Sequence, residues 1–198
     1  MEVEPIRKFE DVKRMYSWLN KNYTPREAEC FLIGCNLALR AGDLLSLRFD
    51  QCKGSHIDLS ERKTGKFRRI PINPSVRAAI KRLRVYYDNT KFYTTKELYA
   101  NYLFQSTCHR SYHDDKPICI QHLSKVFKRA AKELGFDFNV NTHSMRKTWG
   151  YRAYEDGKDI HYIQAAFNHS TSRITLAYIG VTRSTVEQLF RDNEMEIA

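Results

Sequence analysis

Arg40, Lys63, His143, Arg146, His169 and Tyr178 form, in chain order, a set of cationic and hydrogen-bonding side chains closed by one phenol. Such a set suits holding a single phosphodiester while a phenolic oxygen attacks it. Each guanidinium can give a phosphate two parallel hydrogen bonds and stays charged at any working pH. Two of them converging on one phosphate can stabilise the extra negative charge of a pentacovalent transition state. A lysine beside the scissile bond can protonate a departing oxygen, and an imidazole can take up or donate a proton. The phenol needs help: with a pKa near ~10 it is mostly protonated at neutral pH, so its proton must be removed and its charge offset by neighbouring cations. The set contains no paired carboxylates to bind a catalytic metal. The chemistry expected of it is the breaking and rejoining of a DNA strand.

Taken singly, each residue has a plainer reading. Arg40 alone reads as a surface residue at a helix end, Arg146 as an ion-pair partner, and Arg62, Lys63, Lys66, Arg68 and Arg69 as a solvated basic hairpin. His56, His109, His113, His122 and His161 read as structural histidines, and Tyr178 is one of twelve tyrosines. The order and local sequence distinguish the six. The blocks are Leu39-Arg40-Ala41-Gly42-Asp43-Leu44-Leu45-Ser46-Leu47-Arg48, Lys63-Thr64-Gly65-Lys66-Phe67-Arg68-Arg69-Ile70-Pro71-Ile72, Thr142-His143-Ser144-Met145-Arg146, and His169 with Tyr178 nine positions later. Together, over residues 25 to 190, they resemble the catalytic domain of the tyrosine recombinase family, the phage-type integrases. The chain departs from the family pattern at Asp43, where Glu is more usual, at Lys147, where a second His is common, at Asn168, where Gly usually precedes the late His, and at Gly180, where a His often follows the Tyr. None of these removes a reactive group.

The resemblance implies a mostly helical α+β catalytic-domain fold with a small three-stranded antiparallel sheet. It implies that Arg40 and Arg146 clamp the phosphate, Tyr178 is the nucleophile, His143 takes a proton, His169 donates a hydrogen bond to the phosphate and Lys63 protonates the leaving 5′ oxygen. Lys66 competes for that last role, and Asp43 is expected to orient a clamp residue. The implied reaction is a transesterification that leaves a 3′-phosphotyrosyl link and a free 5′-OH, with no cofactor, metal or ATP. The implied partners are double-stranded DNA and other protomers in a tetrameric synapse on the recombination site, in a bacterial or phage-encoded cytoplasmic protein of DNA recombination and integration. A type IB topoisomerase shares this kind of site but religates the original strand, and a DNA-binding protein can keep the scaffold without catalysis. Residues 1–23 read as a linker with a short helix, 24–181 as the catalytic domain and 182–198 as a tail helix, with the family's usual N-terminal DNA-binding domain absent.

Composition agrees with a nucleic-acid partner. The 198 residues carry a formal charge of +10 and a pI near 9.4, which favours a polyanion, and 42% apolar residues are enough to fill one core. Five cysteines without a C-x-x-C pair indicate a reduced protein rather than a disulfide framework. Cys108, His109, His113 and Cys119 lie close together, but their spacing fits no familiar zinc pattern, and no metal site is expected. No stretch approaches the ~18 to 20 apolar residues of a membrane span, and the acidic start is not a signal peptide.

The elements that must carry these residues follow from periodicity and caps. Residues 10–21 read as an amphipathic helix. Thr24, Pro25 and Glu27 read as the capping box of a core helix that delivers Arg40 at its end. Phe49–Cys52, His56–Ser60 and Phe67–Ile72 are strand-like, with Thr64-Gly65 as a hairpin turn placing Lys63 at the tip. Asn73 caps a helix to about Tyr87, 97–103 reads as a short helix and 106–117 as irregular. Further helices are expected over 120–134, 143–155, after Asp159, over 171–178 and over 182–193, the last with an apolar face of Val186, Leu189 and Phe190.

Overall fold

A computed structural model describes residues 3–90, 101–107, 115–181, 187 and 190–193. The chain is mostly helical: α1 Phe9–Asn22, α2 Pro25–Leu37, α3 Ala41–Leu45, α4 Pro74–Asp88, α5 Ile120–Glu133, α6 Thr142–Glu155, α7 Ile160–Phe167 and α8 Ser172–Ile179. Between α3 and α4 lies an antiparallel hairpin, β1 His56–Ser60 and β2 Phe67–Pro71, in which His56 faces Pro71 and Ser60 faces Phe67.

The caps explain most boundaries. Asn73 accepts from the Val76 amide, Asp159 from the His161 amide and Thr171 from the Ile174 amide, each satisfying a donor that the first helical turn leaves unpaired. Asn141 and Ser144 form a reciprocal capping box at the start of α6, fixing the turn that carries His143. Gly157, with φ 71°, ends the run after α6.

Two expectations need correction. Only two strands form the described sheet, because Phe49–Cys52 is folded as a 3-10 turn over Asp50–Cys52. Its polar side chains bond locally: Gln51 Oε1 accepts from the Arg48 amide at 2.9 Å and Asp50 Oδ1 from the Gln51 amide at 3.0 Å, which favours a turn over a ladder. Arg48 instead makes an isolated bridge to Tyr102. Nor does Thr24 form the expected capping box. Its hydroxyl donates to the Glu27 side chain at 2.5 Å and makes no bond to the helix backbone, while Glu27 is turned into the core, where it also takes Arg26 at 2.6 Å and His122 at 2.9 Å. Most of the expected 97–103 helix lies outside the described residues, as do 108–114 and much of the tail.

The main core joins α1, α2, α4 and α5 through Met15, Leu19, Phe31, Ile33, Leu83 and Phe127, all buried. A smaller cluster of Ala38, Ile163, Phe167 and Ile179, flanked by Trp149 and Tyr178, packs α7 and α8 against α6. The site lies where this cluster meets the end of α2. Among the described residues no helix is long and apolar enough to cross a membrane.

Candidate active site

Helix α2 stops at Leu37 because Ala38 adopts a left-handed backbone, φ 54° and ψ 25°. A residue with a Cβ visits this region at a cost of about 1 kcal/mol, so its surroundings must hold it there. The turned chain aims the Ala38 carbonyl at Arg146 and sends Arg40 in extended form to the start of α3. Arg146, on α6, is 2% exposed. One terminal nitrogen donates to Ala38 O, the other to Phe167 O at 2.7 Å, and the guanidinium lies 4.5 Å above the Phe167 ring. Burial, with Arg40 and Arg68 adding repulsion and Tyr178 and Glu61 opposing, brings its pKa down to about 10. A buried cation left short of counter-charge is a place for an anion.

Phe167 links that arginine to the phenol. Its ring meets Tyr178 edge-on at 5.4 Å, while His169 meets Tyr178 at 5.2 Å and Phe167 at 5.1 Å. Burial raises the Tyr178 pKa, opposed by the positive charges of Arg146 and Arg40. His169 is depressed to about 4, by burial first and then by Arg146 and Arg40, so the ring is neutral at neutral pH. Its Nδ1 stands 3.2 Å from Thr175 Oγ1, which in turn lies 3.2 Å from Thr171 O, so the threonine holds the imidazole in place beside Tyr178. His143, in the first turn of α6, is exposed, and its pKa is lowered by desolvation, Lys147 and Arg146, which keeps it available as a proton acceptor.

Lys63 stands exposed in the turn between β1 and β2, and among the described residues no ion pair holds it. The structure thus gathers Arg40, Arg146, His169 and Tyr178, sets His143 beside Arg146 on α6, and leaves Lys63 on a projecting turn. Asp43 binds the hairpin rather than a clamp arginine: its Oδ1 accepts from the Arg62 amide at 2.9 Å.

Four further residues at the site take parts that sequence reasoning did not assign them. Glu61, 1% exposed, pairs with Arg40 at 2.6 Å and Arg68 at 3.3 Å. Arg68 is drawn inward by the alternation of β2, which turns Arg68 and Ile70 to the body of the protein and Phe67 and Arg69 to solvent. That period of two was the one available signal, hidden in a run of basic residues. Lys147, 6% exposed, lies with Nζ 5.2 Å from the centre of the Tyr178 ring. Asn168, with φ 53°, shows why glycine is common there, and asparagine is among the few other residues that accept that conformation.

The comparisons with known proteins agree with this geometry. Residues 7–184 match the model of the phage integrase family. The chain is 34% identical over 191 residues to the probable integrase/recombinase YoeC of Bacillus subtilis, covering 96% of each. It is 23% identical over 130 residues to the tyrosine recombinase XerD of Staphylococcus saprophyticus, covering 66% of this chain and 41% of that protein. Its fold is similar to the XerH site-specific recombinase bound to its palindromic difH substrate in a post-cleavage complex, with a TM-score of 0.69, 14% identity, and coverage of 92% of this chain and 51% of that one. The chain thus spans about half the length of these two and nearly all of YoeC. The helical fold with its small antiparallel sheet, and the integrase and recombinase relatives, define a DNA strand transferase of the recombinase kind. The chain belongs to the phage integrase family, as a tyrosine recombinase catalytic domain.

Proposed function

We propose that this domain cuts and rejoins double-stranded DNA at a specific site, with Tyr178 attacking phosphorus to form a 3′-phosphotyrosyl link and release a 5′-OH. The reading rests on one observation above all: the Tyr178 ring packs against Phe167 and His169, and the charges of Arg146 and Arg40 favour its phenolate, at a site whose cations outnumber its carboxylates. Arg40 and Arg146 take the non-bridging oxygens. A phosphate arriving between them supplies the missing counter-charge and raises the His169 pKa, so that the ring gains a proton to donate. His143 takes the phenolic proton and Lys63 protonates the leaving oxygen. A 5′-OH from a second strand reverses the step, and the energy of the broken bond is kept in the covalent link, so ATP is not needed. The residue set supplies cations in the place of a metal, and none is expected to be required.

The finer partners belong to the same proposal: four protomers on a full recombination site, in a bacterial or phage-encoded cytoplasmic protein. Phe190 is 80% exposed and stands on the tail that would reach a neighbouring protomer. The test is covalent trapping on a nicked suicide substrate in excess chelator. Wild type should form an adduct; Tyr178→Phe should bind the same DNA within about threefold and form none, since only the nucleophilic oxygen is gone. An adduct with the phenylalanine variant, or loss of the wild-type adduct in chelator with recovery on adding magnesium, would overturn the assignment.

A further inference from the structure

Glu61 is a buried carboxylate surrounded by site residues from three separate parts of the chain. Its Oε2 meets Arg40 Nη1 at 2.6 Å and accepts from Thr64 Oγ1 at 2.7 Å, while Oε1 takes Arg68 at 3.3 Å. Asn168, next to His169, lies close enough to favour its ionised form. Its backbone takes part as well: the Glu61 amide donates to Lys66 O at 2.9 Å and its carbonyl accepts from the Gly65 amide at 2.8 Å, closing the turn that bears Lys63. One residue therefore joins the arginine that opens α3 to the turn that carries the lysine, close to the segment that leads into the late histidine.

We propose that Glu61 is a positioning residue for strand cleavage: it fixes one edge of the Arg40 guanidinium, leaves the other edge to the phosphate, and ties the Lys63 turn to that arginine. Three observations carry this. The side chain of Glu61 is fully buried while that of Arg40 stays 24% exposed, so the pair turns its carboxylate inward and its guanidinium outward. Glu61 is fully buried, and its three partners Arg40, Thr64 and Arg68 restrain it, so it does not swing out to compete for DNA. The hydroxyl of Thr64, one residue after Lys63, is held by the same oxygen as Arg40, so a shift of either reaches the other through a single atom. Its acidity agrees: despite burial, the hydrogen bonds and the arginine hold its pKa at about 2, so it is a carboxylate at every working pH.

This inference rests on the proposed strand transfer, and the experiment separates the two. Single-turnover cleavage is measured with an ordinary substrate and with one whose 5′-bridging oxygen is sulfur, which departs without needing a proton. If wild type forms no adduct, the strand-transfer reading itself fails. Given a wild-type adduct, Glu61→Gln keeps the shape and the Thr64 bond but loses the charge that fixes Arg40. It should slow cleavage of both substrates by roughly 10- to 100-fold, the range expected when a transition-state donor is misplaced, with DNA affinity within about threefold. Thr64→Ala, at an exposed position, leaves the Arg40 pair intact and loosens only the turn. It should slow the ordinary substrate by roughly tenfold and the sulfur substrate by less than twofold. The proposal is overturned if Glu61→Gln cleaves within twofold of wild type, or if Thr64→Ala slows both substrates equally. Loss of DNA affinity in step with rate for Glu61→Gln would also overturn it, because a merely structural role predicts that result.

Discussion

Arg146 is expected to hold the fold together as well as bind phosphate, which makes its alanine variant a poor test of catalysis. Both terminal nitrogens donate to buried carbonyls, Ala38 O at the end of α2 and Phe167 O at the end of α7, and the guanidinium covers the Phe167 ring. Arg146→Ala strands both acceptors, at about 1–3 kcal/mol each. Repulsion from Arg40 and Arg68 works the other way, since removing a buried cation relieves them. The hydrogen bonds should win, because breaking one side of a buried charged network typically costs about 3–5 kcal/mol. For a chain of this size that corresponds to a fall in melting temperature of roughly 6–20 °C. Arg146→Lys, with one compact ammonium that cannot span both carbonyls, should fall between the alanine variant and wild type. The measurement is thermal unfolding without DNA, followed by circular dichroism at pH 7.5. A melting temperature for Arg146→Ala within about 2 °C of wild type would refute the keystone role and show that the two carbonyls find other partners.

Three other outcomes are expected. Lys63→Ala should slow cleavage by roughly 10²-fold or more, and a 5′-bridging sulfur should restore most of the rate; rescue of Lys66→Ala instead would move the role to that lysine. The folded His169 titrates near 4 and the unfolded one at 6.5, so the unfolded chain binds more protons between those values and stability should fall as pH drops from 6.5 towards 4. His169→Gln should flatten that slope. DNA binding at pH 6 should take up close to one proton in wild type and measurably less in this variant, read by calorimetry in two buffers of different ionisation heat. A wild-type uptake unchanged by the substitution would refute the protonation of His169 on binding. Gly150 lets α6 pack against the support of the tyrosine: a Cβ there would lie 2.5 Å from Phe167 Cζ and 2.7 Å from Ile179 Cγ2. Gly150→Ala should therefore cost about 1–3 kcal/mol and slow cleavage by roughly 10- to 100-fold while sparing DNA affinity; an unchanged rate would show that α8 shifts without moving Tyr178.

The sequence by itself determined the family and most of the helices. Residue types in a fixed order set Arg40, Arg146, His169 and Tyr178 apart from the other arginines, histidines and tyrosines, and caps such as Asn73 and Asp159 place α4 and α7, because a cap and its first turn are local in the chain. What depends on contacts between distant segments was decided only by the tertiary structure. Arg68 looks like a member of a solvated basic hairpin, and Glu61 carries no signal at all, until the hairpin folds onto α3. Glu27 looks like a cap residue until Arg26 and His122 draw it into the core. Phe49–Cys52 has strand-like composition, yet its polar side chains close a turn. The place of the His169 ring depends on Thr175, six residues on and a turn into the next helix. Burial supplies the common physical reason: it sets which charges must find partners, and no local pattern states how much water a side chain will lose when the chain folds.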